Sequence, residues 1–472
     1  MGAYSSFSLA FAEIAITVTL FTLFAQPYQT IGGVAVWLWL PVTCGALLIA
    51  LVWGHLVARM PVTGYAYQWS SRIVNPHYGW FCGWTEFVGW LIGTAGIAVA
   101  AASVFSPYFW ANPTHGDIEL LAGAAIILAV LANIVSVRIT AFVNNIGASA
   151  ELFGTLGIGV AIAIGLLFFK HVQGPQILVT SHPYKSTHVT LVLLSLAALM
   201  PIYSILGWDA SADLAEESRD ARRIIPKAMR RAVIIGGLAG FFLFAVYSMA
   251  IKGSISHLLN ESGTPLVNVI QSHFGSGVTY LVLVILGFAM FSALLANMTA
   301  ATRVGYALGR DRMLPFSRAW SYVHPTTRTP IFTVIVVGCV AELANVLSAG
   351  IVTRIIDGVS VAGYGIYAFV LIGVLWAHRK GRLHEGEEGL FDMGTWLMPC
   401  TVVALLYVLL ILVMDTVPGV NHVDGEYFLY IEAIGAVWFV AALGWRIKRR
   451  AAGPGLERLG DDLTADEASV SG

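Results

Sequence analysis

The sequence predicts an all-α integral membrane protein with twelve transmembrane helices. Apolar residues make up 57% of the 472-residue chain and charged residues only 11%, against roughly 25% charged residues in an ordinary soluble domain. The few charges lie between long runs without Asp, Glu, Lys or Arg, such as 14–58, 87–116 and 262–302. Each run is longer than the about 20 apolar residues that cross a bilayer.

The charge balance and the cysteines exclude several classes of protein. With 26 basic and 27 acidic residues, the formal net charge is −1, so binding of nucleic acid through bulk charge is excluded. The four cysteines lie far apart in apolar segments without CxxC spacing, which indicates packing rather than disulfides or a metal site. The chain contains neither a GxxxxGK[ST] loop nor an HExxH motif, and we expect no cofactor and no metal.

Turns and charges divide the apolar runs into twelve predicted spans, numbered here in chain order. The first run is too long for the apolar core of a signal peptide and is read as span 1; the few residues ahead of it are compatible with a cytosolic extension before Met1. Spans 4 and 9 are predicted from short runs, and Glu342 interrupts span 9. The predicted spans are 7–29, 34–58, 78–106, 119–137, 143–169, 190–209, 231–251, 277–303, 330–349, 354–378, 394–415 and 428–446.

The distribution of Lys and Arg predicts the orientation. A cytosolic N-terminus leaves only Lys170, Lys185, Lys252 and Arg354 on the outer side, and the other 22 of the 26 basic residues on the cytosolic side or at its helix ends. Basic residues favour cytosolic loops. We therefore expect a multi-pass protein of the plasma or inner membrane with both termini in the cytosol.

Three groups of motifs between the spans carry a family resemblance. In this order they resemble the amino acid–polyamine–organocation superfamily of permeases, and most closely its amino acid/choline transporter branch, which includes GABA and choline permeases. The motifs are PVTGYAYQW at 61–69 with YGWFCGW at 78–84, then GWD at 207–209 with AEESRDA at 215–221 and IPKA at 225–228, and finally RVGYALGRDRMLPFS at 303–317.

The resemblance implies an architecture that hydropathy alone does not give. Spans 1–5 (residues 1–176) and spans 6–10 (177–380) would form two inverted repeats, followed by spans 11 and 12 (381–447) and a cytosolic disordered tail (448–472). Spans 1 and 6 would be broken at mid-membrane, with the substrate against the breaks. Broken helices survive in a bilayer only where they line a polar cavity.

Span 6 contains the clearer break. Pro201 removes a backbone donor and Gly207 tolerates non-helical dihedral angles. Between them, Tyr203 and Ser204 offer hydroxyl groups near freed backbone groups, and Trp208 follows directly. We expect these side chains to bind substrate, although a kinked helix without a ligand is the alternative.

Span 1 departs from the family pattern. Thr17, Val18 and Thr19 stand where many members of the superfamily have a glycine-rich triplet whose N–H groups hold the substrate carboxylate. The threonines would line the break with their hydroxyl groups, but β-branched residues resist unusual dihedral angles. We therefore expect a shorter break and a shift of preference toward amines, choline-like cations or amino acids with a distant carboxylate.

Five titratable residues are candidates for gating or proton coupling. Glu13, Glu86 and Glu151 interrupt apolar helices, where a carboxylate usually faces a cavity or a partner. Asp209 follows the span 6 break and either gates the pathway or caps the second half-helix. His55, at the end of span 2, is either a solvated or capping residue or a gate that titrates near neutral pH. For Glu151, the alternative is a structural role, either as a buried pair with Arg138 or as a polar contact between helices.

The function expected from these features is secondary active transport of an amino acid or related amine, coupled to H⁺ or Na⁺. The alternatives are a permease for choline or polyamine-type organic cations, a sensor without transport, and a membrane enzyme. The scattered histidines do not favour an enzyme, and we expect the partners to be the small-molecule substrate, the coupling ion and the lipid bilayer.

Overall fold

The computed structural model describes residues 2–135, 137–181, 191–213, 215–260, 263–348, 352–383, 389–416 and 432–441. Within these ranges the chain is helical and forms no strand beyond one isolated bridge between Val172 and Lys252. Nine of the described helices are long and apolar enough to cross a membrane, and three shorter apolar helices accompany them. Each of the twelve falls on a predicted span, so the predicted fold class is confirmed. The predicted tail, 448–472, lies outside the described residues.

The helix bounds follow the predicted spans, with interruptions in spans 1, 5 and 6. The helix Pro265–Arg310 is broken at Gly275 (φ 72°, ψ 179°), just before the predicted start of span 8. Further short helices, Gln26–Thr30, Ile255–Asn260 and Ser317–Trp320, lie between spans. The spans, in order, are Ala3–Glu13 with Ile16–Leu23; Trp39–Arg59; Pro76–Phe105; His115–Val135; Val137–Ser149 continued through Ala150–Thr155 and Leu156–Gly165; Leu191–Ser204 with Ala210–Asp213; Ala221–Met249; Pro265–Arg310; Ile331–Ser348; Val352–Arg379; Leu397–Thr416; and Glu432–Ala441.

Local sequence explains where span 3 begins. Asn75 precedes the helix with an extended backbone, and its side chain accepts a hydrogen bond from the Tyr78 N–H at 2.9 Å. Pro76 then occupies the first turn, where its missing N–H costs nothing. The preceding short helix, Tyr65–Ile73, starts after Gly64, whose φ of 76° suits glycine. These signals mark the turns on either side of the short helix that links spans 2 and 3.

The spans differ in how far they are buried. In their most apolar windows, 89% of the residues of span 1 and 78% of those of span 3 are buried, against 28% in spans 4 and 11. The outer spans present large apolar side chains such as Leu120, Phe153 and Leu406, which are more than half exposed and suit lipid contact. Spans 1 and 3 therefore form the centre, and polar groups on them must find partners inside the protein.

Candidate functional site

Spans 1 and 6 are both interrupted, and the two interruptions touch. Span 6 leaves the helix after Ser204 and resumes at Ala210, with Gly207 in the left-handed region at φ 80°. A Cβ atom at Gly207 would lie 2.8 Å from the Cβ of Glu13. Glu13 is the last helical residue before the span 1 break. Only glycine allows the two unwound segments to approach so closely.

The span 1 break lies earlier than predicted. It consists of Ile14 (φ −73°, ψ 79°) and Ala15 (φ −70°, ψ 56°), and the Ile16 N–H bonds the Ile14 carbonyl at 2.6 Å. These are inverse γ-turn angles. Because φ is negative, residues other than glycine adopt them as well. A short break in a chain without the glycine-rich triplet is therefore physically reasonable.

The predicted triplet instead forms the start of the second half-helix of span 1. Thr17, Val18 and Thr19 are buried in the first turns of Ile16–Leu23. The Thr19 hydroxyl donates to the Ala15 carbonyl at 2.7 Å, which satisfies an acceptor at the break. The placement of the break on these three residues was wrong, although they border it.

Glu151 binds the backbone at the start of this half-helix. Its Oε1 accepts the Thr17 N–H at 3.0 Å, and the Thr17 hydroxyl lies 3.1 Å from that of Thr155. Both Glu151 and Thr155 belong to the π-helical turn Ala150–Thr155 of span 5, a local irregularity that is frequent at functional sites. The side chain of Arg138, the predicted structural partner of Glu151, lies outside the described residues.

Glu13 connects the break to spans 3 and 8. Its Oε2 accepts a hydrogen bond from the Asn297 amide at 3.2 Å, and the Asn297 carbonyl oxygen accepts from Thr94 at 3.0 Å. The other oxygen of Glu13, Oε1, is buried without a hydrogen-bond partner in the described part of the chain. Asn297 and Thr94 were not among the predicted site residues, because sequence spacing does not pair distant spans.

The span 6 side chains lie at the contact between the breaks. Tyr203 and Ser204 end the first half-helix, both are buried, and the Ser204 hydroxyl has no partner among the described residues. Tyr203 is close enough to Glu13 to interact with it electrostatically. Trp208 is fully buried and packs edge-on against Trp53 of span 2 at a centroid distance of 6.1 Å.

Asp209 is held by two tyrosines. Its Oδ2 accepts from the Tyr65 hydroxyl at 2.6 Å and its Oδ1 from the Tyr367 hydroxyl at 3.1 Å. Asp209 therefore connects the span 6 break to the 65–73 helix and to span 10. Tyr65 belongs to the motif at 61–69, whereas Tyr367 lies in an apolar run without any signal. Sequence reasoning missed both tyrosines as partners of Asp209.

Two further buried carboxylates lie near this centre. Neither Glu86 nor Asp213 has a hydrogen-bond partner among the described residues. The Tyr67 backbone and the Trp90 indole lie near Glu86 without reaching hydrogen-bond geometry. Both carboxylates interact electrostatically with Asp209. Unpaired carboxylates in apolar surroundings are costly, so they face a ligand or carry a proton.

A small cavity adjoins these residues. Tyr65, Trp90, Gly207, Asp209 and Tyr367 are among its lining residues, and its volume is about 40 Å³. That is space for a few water molecules only. A substrate can therefore enter only if the elements around the breaks separate.

Contacts between loops and helix ends close the side of the molecule where the N-terminus lies, called here the N-terminal face. Glu216 accepts the Thr63 N–H at 3.0 Å and pairs with Arg310 at 3.4 Å. Gln68 donates to Asp311 at 2.5 Å. These contacts join the segments between spans 2 and 3 and between spans 6 and 7 to the end of span 8.

His55 lies on this face, away from the breaks. It is buried rather than solvated, its Nδ1 accepts the Met393 N–H at 3.4 Å, and Asp392 lies 3.3 Å away. Asp392 also pairs with Arg59 at 3.1 Å. The backbone N–H of Gly394, helped by Arg59, holds the pKa of the Asp392 carboxyl below its usual value. His55 thus connects span 2 to the segment before span 11.

Two interrupted helices that meet at a buried polar centre, within a bundle of apolar spans, are typical of secondary transporters. A family model described as amino acid permease matches residues 2–440. The chain therefore belongs to this permease family.

Three relatives whose names state a transport function are similar to this chain at low identity. The low-affinity putrescine importer PlaP of Escherichia coli is 24% identical over 71% of this chain and 72% of its own. The amino-acid permease BAT1 of Arabidopsis thaliana is 23% identical over 94% of this chain and 92% of its own. Amino-acid permease 2 of Neurospora crassa is 22% identical over 83% of this chain and 74% of its own.

Proposed function

We propose that the protein is a secondary active transporter that moves an amino acid or related amine across the cell membrane by alternating access. The observation that carries this proposal is the contact between the two breaks, where Gly207 meets Glu13. Separation of the breaks would open a polar site in mid-membrane, and the contacts of the N-terminal face would break when the site opens to that side. The names of the three relatives favour a transporter over an enzyme.

The repeats and the coupling ion belong to the same proposal. Residues 1–176 and 177–380 would be the two inverted repeats, with 381–447 as the added helices. Glu13, Glu86, Glu151 and Asp209 are candidates for proton coupling because they are buried in the membrane region and form no ion pair among the described residues. A protonated carboxyl avoids the cost of an unpaired charge there.

A counterflow assay tests transport and the site together. Purified protein is reconstituted in liposomes, and each batch is loaded with one unlabelled amino acid or amine from a panel. For at least one compound of the panel, the liposomes should take up the labelled form of the same compound from outside. Tyr203→Ala should weaken binding about tenfold, because an aromatic ring over an amine contributes about 0.5–2 kcal/mol. Tyr203→Phe, which keeps the ring, is the matched control. Absence of counterflow for the whole panel would contradict the proposal.

The proposed orientation is tested by cysteine labelling in intact cells. A cysteine at exposed Ser181 should react with an impermeant thiol reagent from outside, whereas one at Ser317 should react only after permeabilisation. Replacing the four native cysteines first removes background labelling. Reaction of Ser317→Cys from outside would reverse the assigned orientation.

A further inference from the structure

We propose that the substrate is an organic amine without an α-carboxylate, such as a diamine, and that Glu151 excludes the carboxylate. This inference rests on the proposed function and specifies the substrate class of the same site. It follows from which polar groups at the half-helix ends beside the two breaks already have a hydrogen-bond partner in the protein.

The positive end of a half-helix is the natural site for an anionic substrate group. The second half-helix of span 1 is Ile16–Leu23, and the break lies directly before it. Its Thr17 N–H already donates to Glu151 Oε1 at 3.0 Å, and Glu151 is buried. The protein's own carboxylate therefore takes the place that an α-carboxylate would need.

The ends that suit a cation remain available. The half-helix Leu191–Ser204 directs its carbonyl end toward the break, and the Ser204 hydroxyl has no partner among the described residues. Glu13 Oε1 is likewise buried without a partner, at the contact with Gly207. The Tyr203 hydroxyl is close enough to Glu13 to interact with it electrostatically. A carbonyl end, a carboxylate and an aromatic face all favour an ammonium group.

Other charges near the breaks agree with this assignment. Asp209 and Glu151 both interact electrostatically with Glu13. Among the described residues, neither Lys nor Arg pairs with any of these three carboxylates. The Glu13 and Glu151 carboxylates would repel an incoming carboxylate, whereas an ammonium group would be attracted to Glu13.

Competition with matched pairs of compounds tests the inference. Putrescine and ornithine, and likewise cadaverine and lysine, differ only by the α-carboxylate. The test uses the reconstituted full chain and a labelled transported compound. The amine of each pair should inhibit uptake or binding of that compound at a concentration at least about tenfold lower than its amino acid does. Tighter binding of the amino acids would overturn the inference. Transport of amino acids but not of amines would overturn the inferred substrate class and leave the proposed function standing. Transport of neither class of compound would overturn the inferred substrate class and the proposed function.

Variants of Glu151 test its role. Glu151→Ala frees the Thr17 N–H to bind a substrate carboxylate. The ratio by which the protein prefers the amine over its amino acid should therefore fall about tenfold, because one hydrogen bond to a charged group has about this effect. Glu151→Gln keeps an acceptor at the same place and should narrow the preference less. Equal preference ratios in the wild type and both folded variants would overturn the role of Glu151. The wild-type comparison decides the substrate class even where Glu151→Ala does not fold.

Discussion

Gly207→Ala should reduce uptake about 10- to 100-fold while the protein still inserts and folds. The new Cβ would lie 2.8 Å from the Glu13 Cβ and 3.2 Å from the Glu13 carbonyl oxygen. In addition, φ is 80° at this position, which costs an L-residue about 1–3 kcal/mol. Because 1.4 kcal/mol corresponds to about tenfold in rate, strain and displacement of the break together give the expected range. Initial uptake rate per reconstituted protein is the measurement.

A second glycine separates the close contact from the backbone strain. Gly253 has φ 73° but no atom within 4 Å of an added Cβ, and it lies in the loop after span 7, outside the proposed site. Gly253→Ala therefore carries a comparable dihedral penalty without a collision and should keep uptake within about twofold. Equal losses in both variants, or wild-type uptake in Gly207→Ala, would mean that the contact between the breaks is not needed for transport.

The fold was predictable because its signals are local. A bilayer requires long apolar runs, and charges can only lie between them, so all twelve predicted spans coincide with described helices. The span 6 break was predictable for the same reason, since Gly207 is one of the residues that unwind and Pro201 lies in the last turn of the helix before them. Single-residue backbone preferences were sufficient here.

The exact position of the span 1 break and the partners of the site were not predictable. Ile14 and Ala15 adopt γ-turn angles that many residues tolerate, so the sequence there carries no distinctive signal. The contact between Glu151 and the Thr17 N–H joins residues 134 positions apart. Tyr367 likewise donates to Asp209 from an apolar run in which hydropathy distinguishes no functional residue. Long-range packing, rather than local preference, decides such pairs.

Asp209 joins three elements that would have to separate for the pathway to open on the N-terminal face. It lies at the end of the span 6 break and accepts hydrogen bonds from Tyr65 of the 65–73 helix and Tyr367 of span 10. All three residues are buried, and all three line the small cavity beside Gly207. In the proposed cycle this contact would break when the face opens and form again when it closes, so a weaker contact would make the closed state less stable and slow the return to it.

Asp209→Asn should lower the turnover rate about tenfold or more while substrate affinity changes less than about threefold. The amide keeps the shape of the side chain but loses the charge, and hydrogen bonds to charged groups contribute about 1.5–3 kcal/mol. Tyr65→Phe with Tyr367→Phe should act in the same direction, because it leaves the Asp209 carboxylate without its two donors. Tyr364→Phe is the matched control: it lies on the same helix, but its hydroxyl contacts Tyr407 at 3.3 Å. Binding and counterflow measured on the same preparations separate the two effects. Turnover at the wild-type rate in Asp209→Asn, or a loss in Tyr364→Phe as large as in the double variant, would show that the Asp209 contact does not control closing of this face.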